Sequence, residues 1–203
     1  ERLRWQLASG LLKVFHLEQL TNRYSRRPVM SGFSLINGTL SIALVSFIAL
    51  VTQEAFIFPS LGATAFILFH VPLAEPASPR NTFCGHLIGA LMGLFSLHIF
   101  GLQDQASAFL HGVDLPRVGA SALSLGLTGC LMVLFRVVHP PAGATALIVS
   151  LGLMPDPAQL PVLMAGVCLL LAHAYCMNRL SGIPYPVWSA AKSTPSTGAV
   201  SSP

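Results

Sequence analysis

Long apolar runs alternate with short polar breaks along most of this chain. Four runs are long enough to cross a bilayer as helices: Phe33 to Thr52, Phe83 to Phe100, Val118 to Phe135 and Gln159 to Met177. Each comes close to the roughly 20 residues that a hydrocarbon core of about 30 Å demands. A shorter apolar segment follows the first run and another follows the third, at roughly 59–71 and 140–153. Both open on proline, and a helix of about 12 residues rises only about 18 Å, too little to cross. Pro72, Pro76 and Pro79 break the first segment, and Asp156 with Pro157 ends the second. The pattern predicts an all-α polytopic membrane protein in which each half reads full span, short half-helix, full span.

The halves also share words. Pro59-Ser60-Leu61-Gly62-Ala63-Thr64-Ala65 aligns with Pro140-Pro141-Ala142-Gly143-Ala144-Thr145-Ala146 at an offset of 81 residues, which also carries Glu75-Pro76-Ala77 onto Asp156-Pro157-Ala158. Gly-Ala-Thr-Ala alone would mean little in an Ala-rich chain. With a leading proline and an acidic-Pro-Ala word downstream, it marks an internal duplication. The chain divides into an amphipathic N-terminal segment (1–28), a first membrane repeat (29–101), a linker (102–116), a second repeat (117–182) and a flexible C-terminal tail (183–203), Ser/Thr/Ala/Gly/Pro-rich from Ser189. In the N-terminal segment Leu3, Leu7, Leu11 and Val14 recur at helical spacing, with Arg2, Arg4 and Lys13 as the polar side. Such a helix lies on the membrane surface or packs against the domain.

Two threadings fit this division. If the short segments are re-entrant, each half crosses twice and the halves run parallel. If extended chain completes each crossing, each half crosses three times and the halves are inverted. Arg23, Arg26 and Arg27 precede the first run and should keep the N-terminus on the cytoplasmic side. Inversion then places Arg80, Arg136 and Arg179 on that same side and Arg117 opposite, so the positive-inside rule favours it.

Composition agrees with lipid as the main solvent. Of the 203 residues 53% are hydrophobic and only 9% charged, and the mean hydropathy is +0.69. A soluble domain carries about 25% charged residues. The formal net charge of +4 comes from basic residues at segment ends, which read as orientation signals and not as a nucleic-acid surface. Cys84, Cys130, Cys168 and Cys176 sit singly in apolar runs. Small buried hydrophobes is their expected role, with no metal and no cofactor. No cleavable signal is visible, and a first residue other than Met is what a processed form would give. Gly85, Gly89 and Gly93 in the second run form overlapping GxxxG words, which let another helix approach closely.

The two broken segments are the candidate site. Irregular backbone in lipid survives only inside protein or beside a watery cavity. Proline suits the first turn of a helix, so two helices should begin near the membrane midplane at Pro59 and Pro140. Their free amides would come from around Leu61, Gly62, Ala63 and Ala142, Gly143, Ala144. Each helix N-terminus carries roughly half a positive charge, and two together suit a small monovalent anion. The dipoles contribute up to about 2 kcal/mol each, whereas desolvating an anion costs several kcal/mol. Hydrogen bonds to the charge, about 1.5–3 kcal/mol each, must close the gap. Thr64, Thr145 and His139 are candidate donors, and Arg136 supplies a full charge if it reaches inward. Each has a plainer role available. A threonine can bond its own i−4 carbonyl, His139 can cap the break, and Arg136 can snorkel to the interface. For His70, His86, His98 and His173, packing or hydrogen bonding is expected.

At these residues the chain resembles the HPP integral membrane proteins. The motif that gives the family its name stands here as His139-Pro140-Pro141-Ala142-Gly143-Ala144-Thr145-Ala146, and Pro59-Ser60-Leu61-Gly62-Ala63-Thr64-Ala65 and Pro79-Arg80-Asn81 look like its other signature words. The resemblance covers roughly 30–180. It implies an integral protein of bacterial inner membranes or plastid envelopes with four spanning helices, and members are implicated in nitrite transport. The expectation is a transporter or channel, not an enzyme, that binds nitrite at Gly62, Ala63, Thr64, Gly143, Ala144 and Thr145 with His139 and Arg136 in support. Its partners would be that anion and the lipid bilayer, with a homo-oligomer left open. The competing classes are a structural or sensory membrane module and, with less support from motifs, an intramembrane His/Cys metal protein.

Overall fold

The computed structural model describes residues 16–54 and 58–190. Most of the expected N-terminal amphipathic helix, residues 1–15, lies outside the described residues, as does the end of the tail, 191–203. What is described begins with a short helix, α1 (Leu17–Arg23). Then come α2 (Arg26–Thr52), α3 (Pro59–His70), α4 (Pro79–Ile99), α5 (Ala108–His111), α6 (Leu115–Leu134), α7 (Pro141–Ser150) and α8 (Leu160–Leu180). Single 3-10 turns at Glu75–Ala77 and Pro157–Gln159 lead into α4 and α8. No strand occurs among the described residues.

Among the described residues four helices are long and apolar enough to cross a membrane: α2, α4, α6 and α8 with its leading turn. α3 and α7, of 12 and 10 residues, are the short apolar helices between them. The first span begins at Arg26, not at the expected Phe33, because Pro28 falls within the first turn, where its missing N–H is no loss. α4 and α6 likewise start with proline in the first turn, after Ser78 and Asp114 side chains that accept the amides of Asn81 and Arg117.

Hydrogen bonds show which helix ends meet. Leu17 N–H donates to Ser181 O, and the N-terminal part of α2 (Pro28, Val29, Gly32) shares an apolar groove with Met177 and Leu180 of α8. At this same end Asn178 donates to Leu68 O of α3, Arg80 N–H of α4 donates to Trp188 O, and the Arg80 guanidinium reaches Phe135 O and Arg136 O beyond α6. The other end gathers the C-terminus of α7 and the N-terminus of α6. There Arg117, 2% exposed, donates to Ser150 O, Gln105 O and Ala106 O, and Ala108 N–H bonds Leu151 O. α3 and α7 therefore finish at opposite ends of the domain. Glu54 and Arg136 also fall at opposite ends, so no ion pair joins them.

The tightest packing is between α4 and α7, and the glycine stripe causes it. A Cβ on Gly89 would lie 2.4 Å from Ala142 O, one on Gly93 2.5 Å from Val149 Cβ, and one on Gly85 2.8 Å from His139 Cβ. Leu68, Phe69, Leu97, Val149, Leu163 and Val167 fill the core around this seam. Leu35, Phe47, Leu50, Val133 and Leu134 are exposed. In water such a surface would drive association; in a bilayer it faces lipid tails.

One expectation is corrected here. Residues 183–190 are not a free tail. Tyr185 is fully buried and its hydroxyl donates to Ala77 O at 2.6 Å. Burial pushes that hydroxyl above the usual tyrosine range, so it stays a neutral donor. The segment straps the start of α4 because an aromatic ring and its hydrogen bond outweigh the chain entropy of a short coil.

Candidate functional site

A cluster of buried polar side chains joins α3, α4, α7 and the loop before α7. Thr64 and Thr145 occupy equivalent positions in the second turns of the two short helices. Both bond one imidazole. His86 of α4 lies with Nε2 2.8 Å from Thr64 Oγ1 and Nδ1 2.7 Å from Thr145 Oγ1. His139 completes the group, with Nε2 3.1 Å from Thr64 Oγ1 and Nδ1 2.7 Å from Pro76 O. Thr82 stands at the edge of hydrogen-bond distance from the same Nδ1, at 3.5 Å. The imidazole rings are 5.0 Å apart and tilted by 58°. Thr64, His86 and His139 are 0% exposed and Thr145 is 1% exposed.

Local structure explains the placement. Pro59 and Pro141 start the short helices, and Thr64 lies four residues after Ser60 on the same helical face. Thr64 also makes the plainer bond, to Ser60 O at 2.9 Å. His86 follows Gly85, where α4 lies closest to the loop carrying His139. Ser60 is fully buried, and its Oγ has no hydrogen-bond partner among the described residues.

The structure gathers Thr64, His139 and Thr145 from the expected site and adds His86, which the sequence marks only by its place in the glycine stripe. The other expected residues are elsewhere. Gly62 and Ala63 are exposed on α3, and a Cβ at Gly62 would meet nothing. Gly143 is buried, with Leu125 Cδ1 3.1 Å from where its Cβ would be, and Ala144 is half-buried. Arg136 is exposed, holds a left-handed backbone (φ 54°) after α6, and makes no hydrogen bond to the cluster.

The amides also differ from expectation. Leu61 N–H donates to Phe58 O, Ala142 N–H to His139 O and Gly143 N–H to Pro140 O. These tight turn bonds occupy donors that were expected to be free, and Pro140 and Pro141 have no N–H to offer. The polar groups available where the short helices meet are therefore side chains. No group of three or more His, Cys, Asp or Glu residues arranged to hold a metal occurs among the described residues. All four cysteines are free thiols.

Comparison with known proteins agrees with this architecture. The family described as HPP, transmembrane region, matches residues 23–186. A transmembrane protein of Dictyostelium discoideum is 34% identical over 116 residues, 57% of this chain and 37% of its own length. A second from the same organism is 32% identical over 122 residues, 58% of this chain and 35% of its own. The chain thus spans little more than a third of the length of these curated relatives. No solved structure matches it. With four apolar helices of membrane-crossing length and a family match over most of its residues, the chain is an integral membrane protein that belongs to the HPP transmembrane-region family.

Proposed function

We propose that this chain carries a small monovalent anion across the membrane, nitrite being the species its family resemblance implies, at the place where α3 and α7 begin. The observation that carries this reading is the pair of repeat-related threonines, Thr64 and Thr145, bonded to opposite nitrogens of His86 in the interior of a membrane domain. Polar side chains at such depth are costly unless paired, and they mark substrate pathways more often than scaffolding. A hydroxyl or an imidazolium N–H is a donor to an anion, worth about 1.5–3 kcal/mol per bond. The dipoles of α3 and α7 add up to about 2 kcal/mol each. Gly62 and Ala63 leave the exposed face of α3 free of bulk, and Arg136 acts as surface charge at the entrance.

The opposite exits of α3 and α7 support two inverted repeats. The end that gathers Arg80, Arg136 and Arg179 is then the cytoplasmic or stromal one. Full burial of the cluster favours a carrier that alternates between two openings over a standing pore.

Purified protein in liposomes should take up nitrite faster than protein-free vesicles. Gly62→Val should slow that uptake without lowering the melting temperature, because its Cβ has open space. No uptake by the parent protein would overturn the reading. The second reading, a structural or sensory module, draws on the same cluster as a satisfied network that fixes one packing. As a sensory module it predicts nitrite-stabilised melting without flux, and as a purely structural one neither.

A further inference from the structure

The Thr64 hydroxyl has one hydrogen and two carbonyl-type or lone-pair acceptors within reach. Ser60 O is 2.9 Å away and His139 Nε2 3.1 Å. Pro76 O can only accept, so His139 Nδ1 must carry a hydrogen and donate it. In the neutral ring Nε2 then holds a lone pair, which the Thr64 hydroxyl satisfies. His86 Nε2–H donates to the Thr64 oxygen, and the Thr145 hydroxyl donates to His86 Nδ1. The polar hydrogens of Thr64, Thr145, His86 and His139 are then placed.

One more proton fits without moving either ring. With a hydrogen on His139 Nε2, that nitrogen donates to the Thr64 oxygen and the Thr64 hydroxyl turns to Ser60 O. The oxygen's lone pairs then accept from both imidazoles. A proton on His86 fits less well, because His86 Nδ1–H would displace the Thr145 hydroxyl from its acceptor. Such a proton has an exit, however. His86 Nε2 gives its proton to the Thr64 oxygen while Thr64 gives its own to His139 Nε2. The hydroxyl is regenerated, and one proton has passed from one imidazole to the other.

We propose that the proton is the coupling ion of this carrier, and that the Thr64 hydroxyl relays it between His86 and His139; this rests on the transport reading above. A lone imidazolium inside a membrane domain is costly. A monovalent anion beside it cancels the charge, so each ligand raises the affinity of the other by the same factor. The cargo is then one proton with one anion, and the movement is electroneutral. Other ionisable groups on the surrounding elements do not intrude. Glu75 and Arg136 are exposed, Arg80 is engaged with the Phe135 and Arg136 carbonyls, and His173 packs on Phe69. Cys84 of α4 is half-buried, α7 has no ionisable side chain, and that of α3 is His70 in its last turn. Among the described residues none of these hydrogen-bonds either ring.

The test uses proteoliposomes, nitrite as probe, and a membrane potential held at zero with potassium and valinomycin. After subtraction of protein-free vesicles, an inward proton gradient should speed nitrite entry several-fold, and an imposed potential should not. Thr64→Val should lose the gradient effect together with most of the uptake, and Thr64→Ser should regain both. Histidine ring 15N spectra of the parent protein serve as a readout that needs no variant. Nitrite should shift His139 toward the doubly protonated form. Nitrite entry indifferent to the gradient, or a His139 ring unmoved by nitrite, would overturn proton coupling and leave the carrier standing. No nitrite entry above protein-free vesicles would overturn the carrier itself.

Discussion

Arg117 and His86 are single residues on which much of the packing turns, and neither announces itself in the sequence. Arg117 ends a polar linker and looks like an interface charge, yet its guanidinium closes the C-terminal end of α7 through Ser150 O and holds the linker through Gln105 O and Ala106 O. Arg117→Ala would leave these carbonyls without their charged donor and remove a cation from a helix C-terminus. It should cost about 2–4 kcal/mol, read as a lowered melting temperature in detergent. Arg117→Lys should recover only part, since one ammonium cannot span three carbonyls. Unchanged melting in Arg117→Ala would remove the clamp. Thr64 and Thr145 are legible because they belong to short repeated words, and His139 because it stands directly before one. His86 is not, because its importance lies in partners 22 and 59 residues away. The occupied amides of Leu61, Ala142 and Gly143 were hidden for a related reason. Sequence marks where a helix starts, but not whether a tight turn already uses its first donors.

Among the elements, the seam between α4 and α7 leaves no room for a side chain at its glycines. Its glycines were readable as a close-approach stripe, and the partner helix was not. At Gly89 the obstacle to a side chain is the Ala142 carbonyl, which is backbone and cannot swing aside. Gly89→Ala should therefore destabilise the protein by about 1–3 kcal/mol. Gly62→Ala, on the open face of α3, should leave melting unchanged. Equal effects of the two would contradict the packing described. Apolar run length places the crossings themselves, but α2, α4 and α6 start at Arg26, Pro79 and Leu115, before the expected Phe33, Phe83 and Val118. Proline within the first turn of α2, α4 and α6 reads as a break when it is a beginning. The coil after α8 reads as the start of a free tail because a Ser/Thr/Ala/Gly/Pro-rich stretch follows from Ser189, whereas Tyr185 anchors it.

At the scale of the whole molecule the two threadings give opposite labelling patterns. Inversion puts Glu75 and Asp156 on opposite sides of the membrane, and re-entrant segments put them on the same side. With the native cysteines replaced, Glu75→Cys and Asp156→Cys in sealed vesicles should each be labelled from one side only, and from different sides. Labelling from a common side would contradict the inverted arrangement. The central claim is that an anion passes the buried threonine–histidine cluster. It is tested most directly by nitrite uptake into proteoliposomes made with Thr64→Val and Thr145→Val, each at parental melting temperature. The account predicts that each variant loses most of the parental uptake, and by a similar factor, because the two hydroxyls occupy equivalent places around His86. Full uptake in both variants would contradict it.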